Sequence, residues 1–290
     1  MPTISSSPAT ILASMARWSI SLYCKSRYPR PSRVQQGCLE LGEEELHLWW
    51  TRPAWWSEES VLARRSQLTT AELARVARFH FEHDRHSAAV VRLFIRQLLS
   101  HYAAVAPAQW RFETGAHGRP EIIAPPLPLR FNLSHCDNLV VAAVVQRHSV
   151  GVDCELTRRQ CSISALAERF FAPTEAAELR ALPPEAQRQR FFDLWTLKES
   201  YIKALGLGLA QPLNQFTFRL LSRNGEEEQI TLDDNERDFA SNWRYWLLRP
   251  TADYRIAITL PTITPLPYRL VSRALLPTAS VLAEPLQQVV

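Results

Sequence analysis

A short segment of the chain, VGVDCEL, places two acidic side chains two residues apart. Asp153 and Glu155 alternate there with Val150, Val152 and Cys154. In a strand, residues two apart share a face, so both carboxylates project from one side and repel each other unless a cation lies between them. A hard divalent ion such as Mg²⁺ would relieve that repulsion and would also orient phosphates. An edge strand that carries two solvated acids explains the same pattern.

A second segment, from Phe191 to Ala210, has the spacing of an amphipathic helix. Its apolar residues predict one buried face, yet Lys198 projects near the centre of that face and Glu199 lies beside it. An ammonium group is rarely buried without a partner, because its desolvation is costly. Lys198 could extend its head to water while Glu199 and Lys203 form an ordinary i,i+4 pair. Alternatively, the lysines bind an anion.

The scarcity of lysine in the chain favours the second interpretation, in which the lysines bind an anion. Of the 33 basic residues only three are lysines, namely Lys25, Lys198 and Lys203, and two of these lie five residues apart on the predicted helix. A compact ammonium group suits a phosphate oxygen, and a guanidinium group does not replace it equivalently. We therefore expect Lys198 to reach past its apolar neighbours to a ligand phosphate.

Length and composition indicate a globular protein. The chain has 290 residues, of which 46% are hydrophobic and 21% charged, and no apolar run is long enough to span a membrane. Its five cysteines, odd in number and without CxxC spacing, argue against a disulfide framework or a structural zinc site and favour a reducing cytoplasm. The net charge of +4 does not indicate nucleic acid binding, but it suits an acidic partner or a phosphorylated ligand.

The order of elements predicts an α+β protein. Residues 1–39 contain no Asp or Glu and are expected to be a disordered extension, a transit peptide or the result of a start codon assigned too far upstream. Helices are predicted at about 70–102, 162–181 and 184–205, the last ending at Gly206 and Gly208. Strands are predicted at 45–50, 127–135, 138–145, 150–156, 216–220, 242–248 and 254–260. The acidic GEEE at 225–228 is expected to form a solvated hairpin tip.

Four ordered motifs resemble those of 4'-phosphopantetheinyl transferases. GVDCE at 151–155 and WTLKESYIK at 195–203 are similar to the two main motifs of that family. FNLSH at 131–135 and GRP at 118–120 resemble its two upstream motifs, in the same order. No P-loop or dinucleotide-binding motif is present. The resemblance covers roughly residues 45 to 260 and is strongest to the type that activates peptide, polyketide and fatty acid synthases.

The resemblance implies an architecture of two pseudo-symmetric lobes, each an antiparallel sheet packed with helices. The first lobe would comprise residues 40–149 and the second residues 150–272, with the main metal and catalytic motifs in the second and a tail at 273–290. The active site would lie in the cleft between the lobes, where ligands often bind. A monomer that binds neither nucleic acid nor membrane is expected.

The resemblance also implies three overlapping sets of site residues. The ligands of Mg²⁺ would be Asp153, Glu155 and Glu199. The catalytic residues would be Asp153, Glu199 and Lys203. The contacts to coenzyme A would be Ser134, His135, Lys198 and Lys203, with Arg119 in place of the usual lysine of a GKP motif and Arg75, Arg78 and Arg85 in the region that supplies further cations to the 3'-phosphate.

The reaction implied by the resemblance is transfer of the 4'-phosphopantetheine arm of coenzyme A to a serine of an apo acyl or peptidyl carrier protein. Adenosine 3',5'-bisphosphate would be released. The residues themselves leave two other classes open. A Mg-dependent phosphohydrolase of a nucleotide-type substrate would release its product into solution, whereas an inactive binding protein would have no turnover to lose when Asp153 is replaced by Ala.

Overall fold

The computed structural model describes residues 38–115, 118–206, 211–221, 229–234, 243–262, 267–278 and 281–282. The described helices are α1 (Glu58–Ala63), α2 (Thr70–Ala77), α3 (Glu82–Ser100), α4 (Ile163–Phe170), α5 (Pro173–Ala181) and α6 (Pro184–Leu205). The described strands are β1 (Glu45–Thr51), β2 (Phe112–Thr114), β3 (Pro120–Ile122), β4 (Leu129–Cys136), β5 (Leu139–Gln146), β6 (Gly151–Leu156), β7 (Phe216–Leu221), β8 (Gln229–Asp234), β9 (Trp243–Leu248), β10 (Tyr254–Pro261), β11 (Arg269–Leu275) and β12 (Val281–Leu282). The α+β prediction is confirmed.

The first lobe is built on a mixed sheet with the strand order β12-β11-β1-β5-β4. Strand β1 pairs antiparallel with β5 on one edge and parallel with β11 on the other. The chain therefore returns to the first lobe after it has built the second. The boundary predicted between residues 272 and 273 falls inside β11, and the sheet of the first lobe is not purely antiparallel.

The second lobe packs its own antiparallel sheet, β6-β10-β9, directly against the first. Helix α3 covers one face of the first sheet, and the other face packs against the apolar side of β6 and β10. Helix α6 covers the opposite face of the second sheet. The layers therefore run α3, first sheet, second sheet, α6. Among the described residues, no helix is both long and apolar enough to cross a bilayer.

Two predicted helices are interrupted. The stretch at 70–102 breaks between α2 and α3, where the guanidinium group of Arg85 donates to the carbonyls of Phe79 and His80 at 3.0 and 2.7 Å. The stretch at 162–181 breaks before Pro173, which lacks a backbone N–H and begins α5. The predicted end of α6 is confirmed at Gly206, whose φ of 74° is the left-handed conformation that glycine favours. Gly208 and the GEEE segment lie outside the described residues.

Gly151, at the start of β6, allows α6 to approach the strand closely. A Cβ atom at this position would clash with the carbonyl oxygen of Ser200 and would lie 2.5 Å from the backbone nitrogen of Ala204. Both are backbone atoms of α6, so a side chain at residue 151 would push the helix away from β6. This contact sets the distance between β6, which carries Asp153 and Glu155, and α6, which carries Glu199 and Lys203.

We expect Gly151→Ala to lower the free energy of unfolding by about 1–3 kcal/mol, because the overpacked helix must shift. Chemical denaturation measures the effect. Gly42→Ala is the matched control, since a Cβ there meets the flexible side chain of Glu45, with Cγ at 3.2 Å. Equal stability of the two variants would show that the position of α6 does not require a residue without a side chain at position 151.

Candidate active site

Strand β6 carries its two acids toward α6. Val152 and Cys154 belong to the core between the sheets, and Asp153 and Glu155 project to the other side, as the alternation predicts. The two acidic residues are only 5% and 6% exposed. They are therefore buried against α6, and the interpretation of this segment as a strand with two solvated acids is wrong.

Helix α6 brings a third acid and a lysine to the same place. The ammonium group of Lys203 lies 2.6 Å from Oδ1 of Asp153 and also donates to Ser134 Oγ at 3.1 Å and to the carbonyl of Val152 at 3.2 Å. Glu199, one helical turn earlier, is 9% exposed. Burial would lower the pKa of Lys203, but Asp153 and Glu199 outweigh it and raise the pKa.

Strand β4 contributes from the first lobe. Ser134 Oγ donates to Asp153 Oδ1 at 2.9 Å, and the backbone N–H of Val152 donates to Asn132 Oδ1 at 2.8 Å. These bonds join the lobes next to the acids. His135 lies at the end of the strand and keeps exposed surface. Partial desolvation of its imidazole by the surrounding atoms, and then the positive charges of Lys203 and Arg92, lower its pKa below the ordinary value.

The acids of the site act on one another electrostatically. Burial raises the pKa of Glu155 to about 8; Arg159 opposes this shift, and Asp153 and Glu199 add to it. Burial, followed by the charge of Asp153, raises the pKa of Glu199 to about 7. Three carboxylates thus face two cations, Lys203 and Arg159, and the fully ionised site has an excess of one negative charge.

This charge balance and one orphan oxygen fit a hard dication. In the part of the chain that the structure describes, Oδ2 of Asp153 is buried and has no hydrogen-bond partner, although buried acceptors are nearly always satisfied. Carboxylate oxygens are the ligands that Mg²⁺ prefers. Within the described ranges, no three His, Cys, Asp or Glu side chains already surround a single point. Binding of Mg²⁺ therefore requires the carboxylates of Asp153, Glu155 and Glu199 to move closer together.

The prediction that Lys198 reaches a ligand phosphate is wrong. Its side chain is fully buried, with Nζ 2.7 Å from Oε2 of Glu175. Nζ also donates to the carbonyls of Leu213 and Phe216 at 2.8 and 2.6 Å. Burial lowers the pKa of Lys198 and raises that of Glu175. Lys198 lies on the core side of α6, so its partner is an internal acid that sequence spacing did not identify.

Arg119 is also directed inward. Its guanidinium group donates to the carbonyl of Phe131 at 2.6 Å and to that of Lys203 at 3.2 Å. Burial lowers the pKa of Arg119 to about 10. The residue therefore ties β4 to the end of α6 beneath the site. Its contact with a ligand phosphate stays a prediction.

A cavity of roughly 200 Å³ opens in the first lobe beside β4. Arg75, Arg92 and Arg111 are among its lining residues, together with Phe131 and apolar parts of α3. Arg92 also acts on the pKa of His135, which places this cationic wall near the site. Sequence reasoning did not single out Arg92, because the helical spacing predicts the arginines on the side opposite the apolar residues, whereas Arg92 is only 7% exposed. Arg85 does not line the cavity.

Arg159 is a further residue that sequence reasoning missed. It follows β6, and its Nη1 lies 3.4 Å from Oε2 of Glu155. The sequence does contain an indication of this pair, because Arg159 follows Glu155 by four residues and the turn after a strand can bring two such side chains together.

Comparison with known proteins identifies the family of the chain. Residues 149–259 match the family described as the 4'-phosphopantetheinyl transferase superfamily, and residues 54–147 match the one described as 4'-phosphopantetheinyl transferase, N-terminal. The chain is 38% identical over 176 residues to 4'-phosphopantetheinyl transferase HetI of Nostoc sp., covering 60% of this chain and 73% of that protein.

Two proteins of Bacillus subtilis are also similar. One 4'-phosphopantetheinyl transferase is 36% identical over 144 residues, which is 49% of this chain and 62% of that protein. The 4'-phosphopantetheinyl transferase Sfp is 35% identical over 144 residues, with the same coverage of 49% and 62%. Matches on both lobes, and a relative aligned over most of its length, show that the chain belongs to the 4'-phosphopantetheinyl transferase superfamily and is an enzyme of that type.

Proposed function

We propose that the chain transfers the 4'-phosphopantetheine arm of coenzyme A to a serine of an apo acyl or peptidyl carrier protein and releases adenosine 3',5'-bisphosphate. The observation that carries this proposal is the junction of the lobes, where Lys203, Asp153 and Ser134 are hydrogen-bonded and two further carboxylates lie beside them. Phosphoryl transfer depends on positioning and on neutralising charge, and such a site supplies both.

In the proposed step, the serine oxygen of the carrier forms a bond to the phosphorus that bears pantetheine. The bond between that phosphorus and the bridging oxygen of the pyrophosphate breaks, and the oxygen leaves with the nucleotide. The serine proton passes to Glu199, directly or through a water molecule. A carboxylate placed within hydrogen-bond reach of the serine can accept its proton in this way.

Asp153, Glu155 and Glu199 would hold Mg²⁺, as their oxygens and the excess negative charge favour. The ion, when bound, supplies positive charge to the phosphates. Lys203 adds a cation from the chain itself, and it can exchange part of its contact with Asp153 for a phosphate oxygen. Ser134 and His135 face the same ligand from β4 in this proposal.

The nucleotide end of coenzyme A would extend toward the first lobe. Support comes from the cavity beside β4, where Arg75 and Arg92 supply positive charge and Phe131 supplies apolar surface. We propose that Arg85 and Arg119 also contact the 3'-phosphate. For this, each guanidinium group must move a short distance away from the backbone carbonyls that it binds in the structure. We further propose a monomer that works in the cytoplasm, since both lobes of one chain complete the site and the described cysteines are free.

One assay tests the function. The protein is incubated with apo carrier proteins of different pathways, coenzyme A and Mg²⁺, and the carriers are weighed by mass spectrometry. We expect the mass of one phosphopantetheine group on the carrier serine. Phosphopantetheine free in solution would indicate a phosphohydrolase instead, and unchanged substrates would indicate a binding protein.

We expect Arg75→Ala to raise the KM for coenzyme A roughly tenfold, equivalent to about 1.4 kcal/mol, with kcat little changed. Arg75 is exposed at the cavity, so the effect should weaken as salt rises. Arg180→Ala is the control, because Arg180 is exposed and pairs with Glu168 at 3.4 Å. Steady-state kinetics with coenzyme A and with its form lacking the 3'-phosphate measure the effect. An equal loss with both would exclude a 3'-phosphate contact.

A further inference from the structure

Arg159 is held firmly at the edge of the proposed site. Arg188 of α6 donates from Nε to the carbonyl of Thr157 at 2.6 Å and from Nη2 to the carbonyl of Arg159 itself. The guanidinium carbon of Arg159 lies 5.9 Å from the ring centroid of Phe192, which also belongs to α6. The backbone and the stem of Arg159 are therefore fixed by the same helix that carries Glu199.

Within the described residues, the guanidinium group of Arg159 has a single, long contact with a protein acceptor. Nη1 lies 3.4 Å from Glu155, longer than an ordinary charge-assisted hydrogen bond. Nε and Nη2 are buried and have no hydrogen-bond partner in the described part of the chain. Buried donors without acceptors are costly and rare, so each needs an explanation. A ligand oxygen provides one, and the side chain is 30% exposed, which leaves it room to turn toward the site.

Arg159 packs beside α6 at Phe192, and this position indicates which group of the ligand it contacts. Phe192 precedes Glu199 by seven residues, about 10.5 Å along a helix, and Lys203 follows Glu199 by one turn. The carboxylates thus lie between two cations. Lys203 is on the side of Ser134 and the first lobe, where the nucleotide is proposed to bind. Arg159 is on the opposite side of the carboxylates, so in the proposed function it faces the pantetheine-bearing phosphoryl group and not the nucleotide.

We propose that Arg159 contacts a non-bridging oxygen of the phosphoryl group that is transferred. The inference rests on the proposed function. As the serine O–P bond forms and the P–O bond to the departing nucleotide breaks, a guanidinium donor on the transferred group stabilises its charge. A donor that acts on charge in the transition state raises kcat more than it tightens ground-state binding.

The neighbouring Arg158 provides a matched control. It is 64% exposed, and its guanidinium lies 3.9 Å from the carboxylates of Asp137 and Asp253, away from Glu155. Arg158 is thus an outward-facing cation that lies beside surface acids. Variants at the two positions distinguish a role in the transfer step from the general effect of losing one positive charge.

The test compares Arg159→Ala with Arg158→Ala in the carrier-modification assay. For Arg159→Ala we expect kcat to fall roughly 100-fold and the KM for coenzyme A to change less than about threefold. Guanidinium chloride, added below the concentration that unfolds the protein, should restore part of kcat. For Arg158→Ala we expect kcat within about twofold of the wild type. Arg159→Lys keeps a cation near Phe192 but lacks the fork, and should fall between wild type and Arg159→Ala.

Three results would overturn the inference. An unchanged kcat in Arg159→Ala excludes the contact. A loss confined to the KM for the carrier assigns Arg159 to docking. A loss that disappears when Mg²⁺ is raised shows that Arg159 acts through Glu155 alone. Thermal denaturation checks that the variants are folded. If Arg159→Ala is not folded, the comparison is made with Arg159→Lys instead. In all three cases the wild type still modifies the carrier, whereas failure of the proposed function itself leaves the carrier mass unchanged in the wild type.

Discussion

Glu199→Gln is expected to lower kcat roughly 1,000-fold in the carrier-modification assay while the protein remains folded. The amide keeps the volume of the side chain but removes a negative oxygen. It thereby removes one of three proposed ligands for Mg²⁺ and the proposed acceptor of the serine proton. Glu168→Gln is the control, because Glu168 is 63% exposed and pairs with Arg180 at the surface.

When Mg²⁺ is absent, Glu199→Gln should raise the free energy of unfolding, although it lowers kcat. Burial and Asp153 raise the pKa of Glu199 from 4.5 to about 7, so the folded state disfavours the ionised carboxylate. For an acid with a raised pKa, stability is greatest below the unfolded pKa and is lost as the pH rises through the folded pKa. The destabilisation by Glu199 therefore grows between pH 4.5 and about 7 and then stays constant.

Gln does not titrate, so the metal-free variant should gain stability over the metal-free wild type across that window. Urea denaturation at several pH values measures this gain. Added Mg²⁺ should stabilise the wild type and not the variant. An active Glu199→Gln enzyme, or one that Mg²⁺ stabilises as much as the wild type, would remove Glu199 from the metal site.

The acidic strand shows what sequence can predict well. The alternation around Asp153 and Glu155 fixes which face each residue takes, because a strand has a period of two. The helical period places Glu199 and Lys203 one turn apart in the same way. These local rules, together with the order of motifs, predict most of the side chains that meet at the junction. They do not predict that the two acids are buried, which depends on how closely α6 approaches Gly151.

The partners of buried charges are harder to predict because they are distant in sequence. Spacing places Lys198 on the apolar face of α6 but does not reveal Glu175, which lies 23 residues earlier on another helix. Arg119 likewise has a motif position typical of a ligand contact, yet its acceptors are backbone carbonyls of β4 and α6. Backbone acceptors leave no residue-type signal in a sequence.

Strand β11 illustrates a limit of topology. Its residues follow a proline-rich stretch and carry no turn signal that connects them to the first lobe. They nevertheless pair with β1 in parallel, with Glu45 opposite Arg269 and Trp50 opposite Ala274. A parallel pairing between the start and the end of a chain depends on the packed sheets and not on local pattern. The predicted lobe boundary was wrong for that reason.

Lys198→Met is expected to lower the free energy of unfolding by about 3–5 kcal/mol, because it leaves the buried carboxylate of Glu175 without its cation. Glu175 has no exposed surface, and its oxygens also accept the backbone N–H groups of Ala172 at 3.0 Å and Phe218 at 2.8 Å. It therefore cannot turn to water when the lysine is removed. Urea denaturation of the single variant measures the cost.

The double variant Lys198→Met, Glu175→Gln separates the ion pair from the packing. The neutral amide removes the uncompensated charge and keeps an oxygen for one of the two backbone N–H groups. We expect the double variant to be more stable than Lys198→Met by about 1–3 kcal/mol, since burial opposes ionisation of both partners. If removal of the acid lowers stability further, the lysine and the glutamate do not depend on each other.

Kinetics of Lys198→Met then distinguish an internal lysine from a phosphate ligand. Nζ is enclosed by Glu175, two carbonyls and the ring of Phe216 at 4.4 Å, so no ligand reaches it. At a temperature where the variant is folded, we expect its KM for coenzyme A to stay within about threefold of the wild-type value. Lys203→Met, on the site face of the same helix, should raise that KM or lower kcat strongly. A reversed order of the two effects would place the phosphates on the other side of α6.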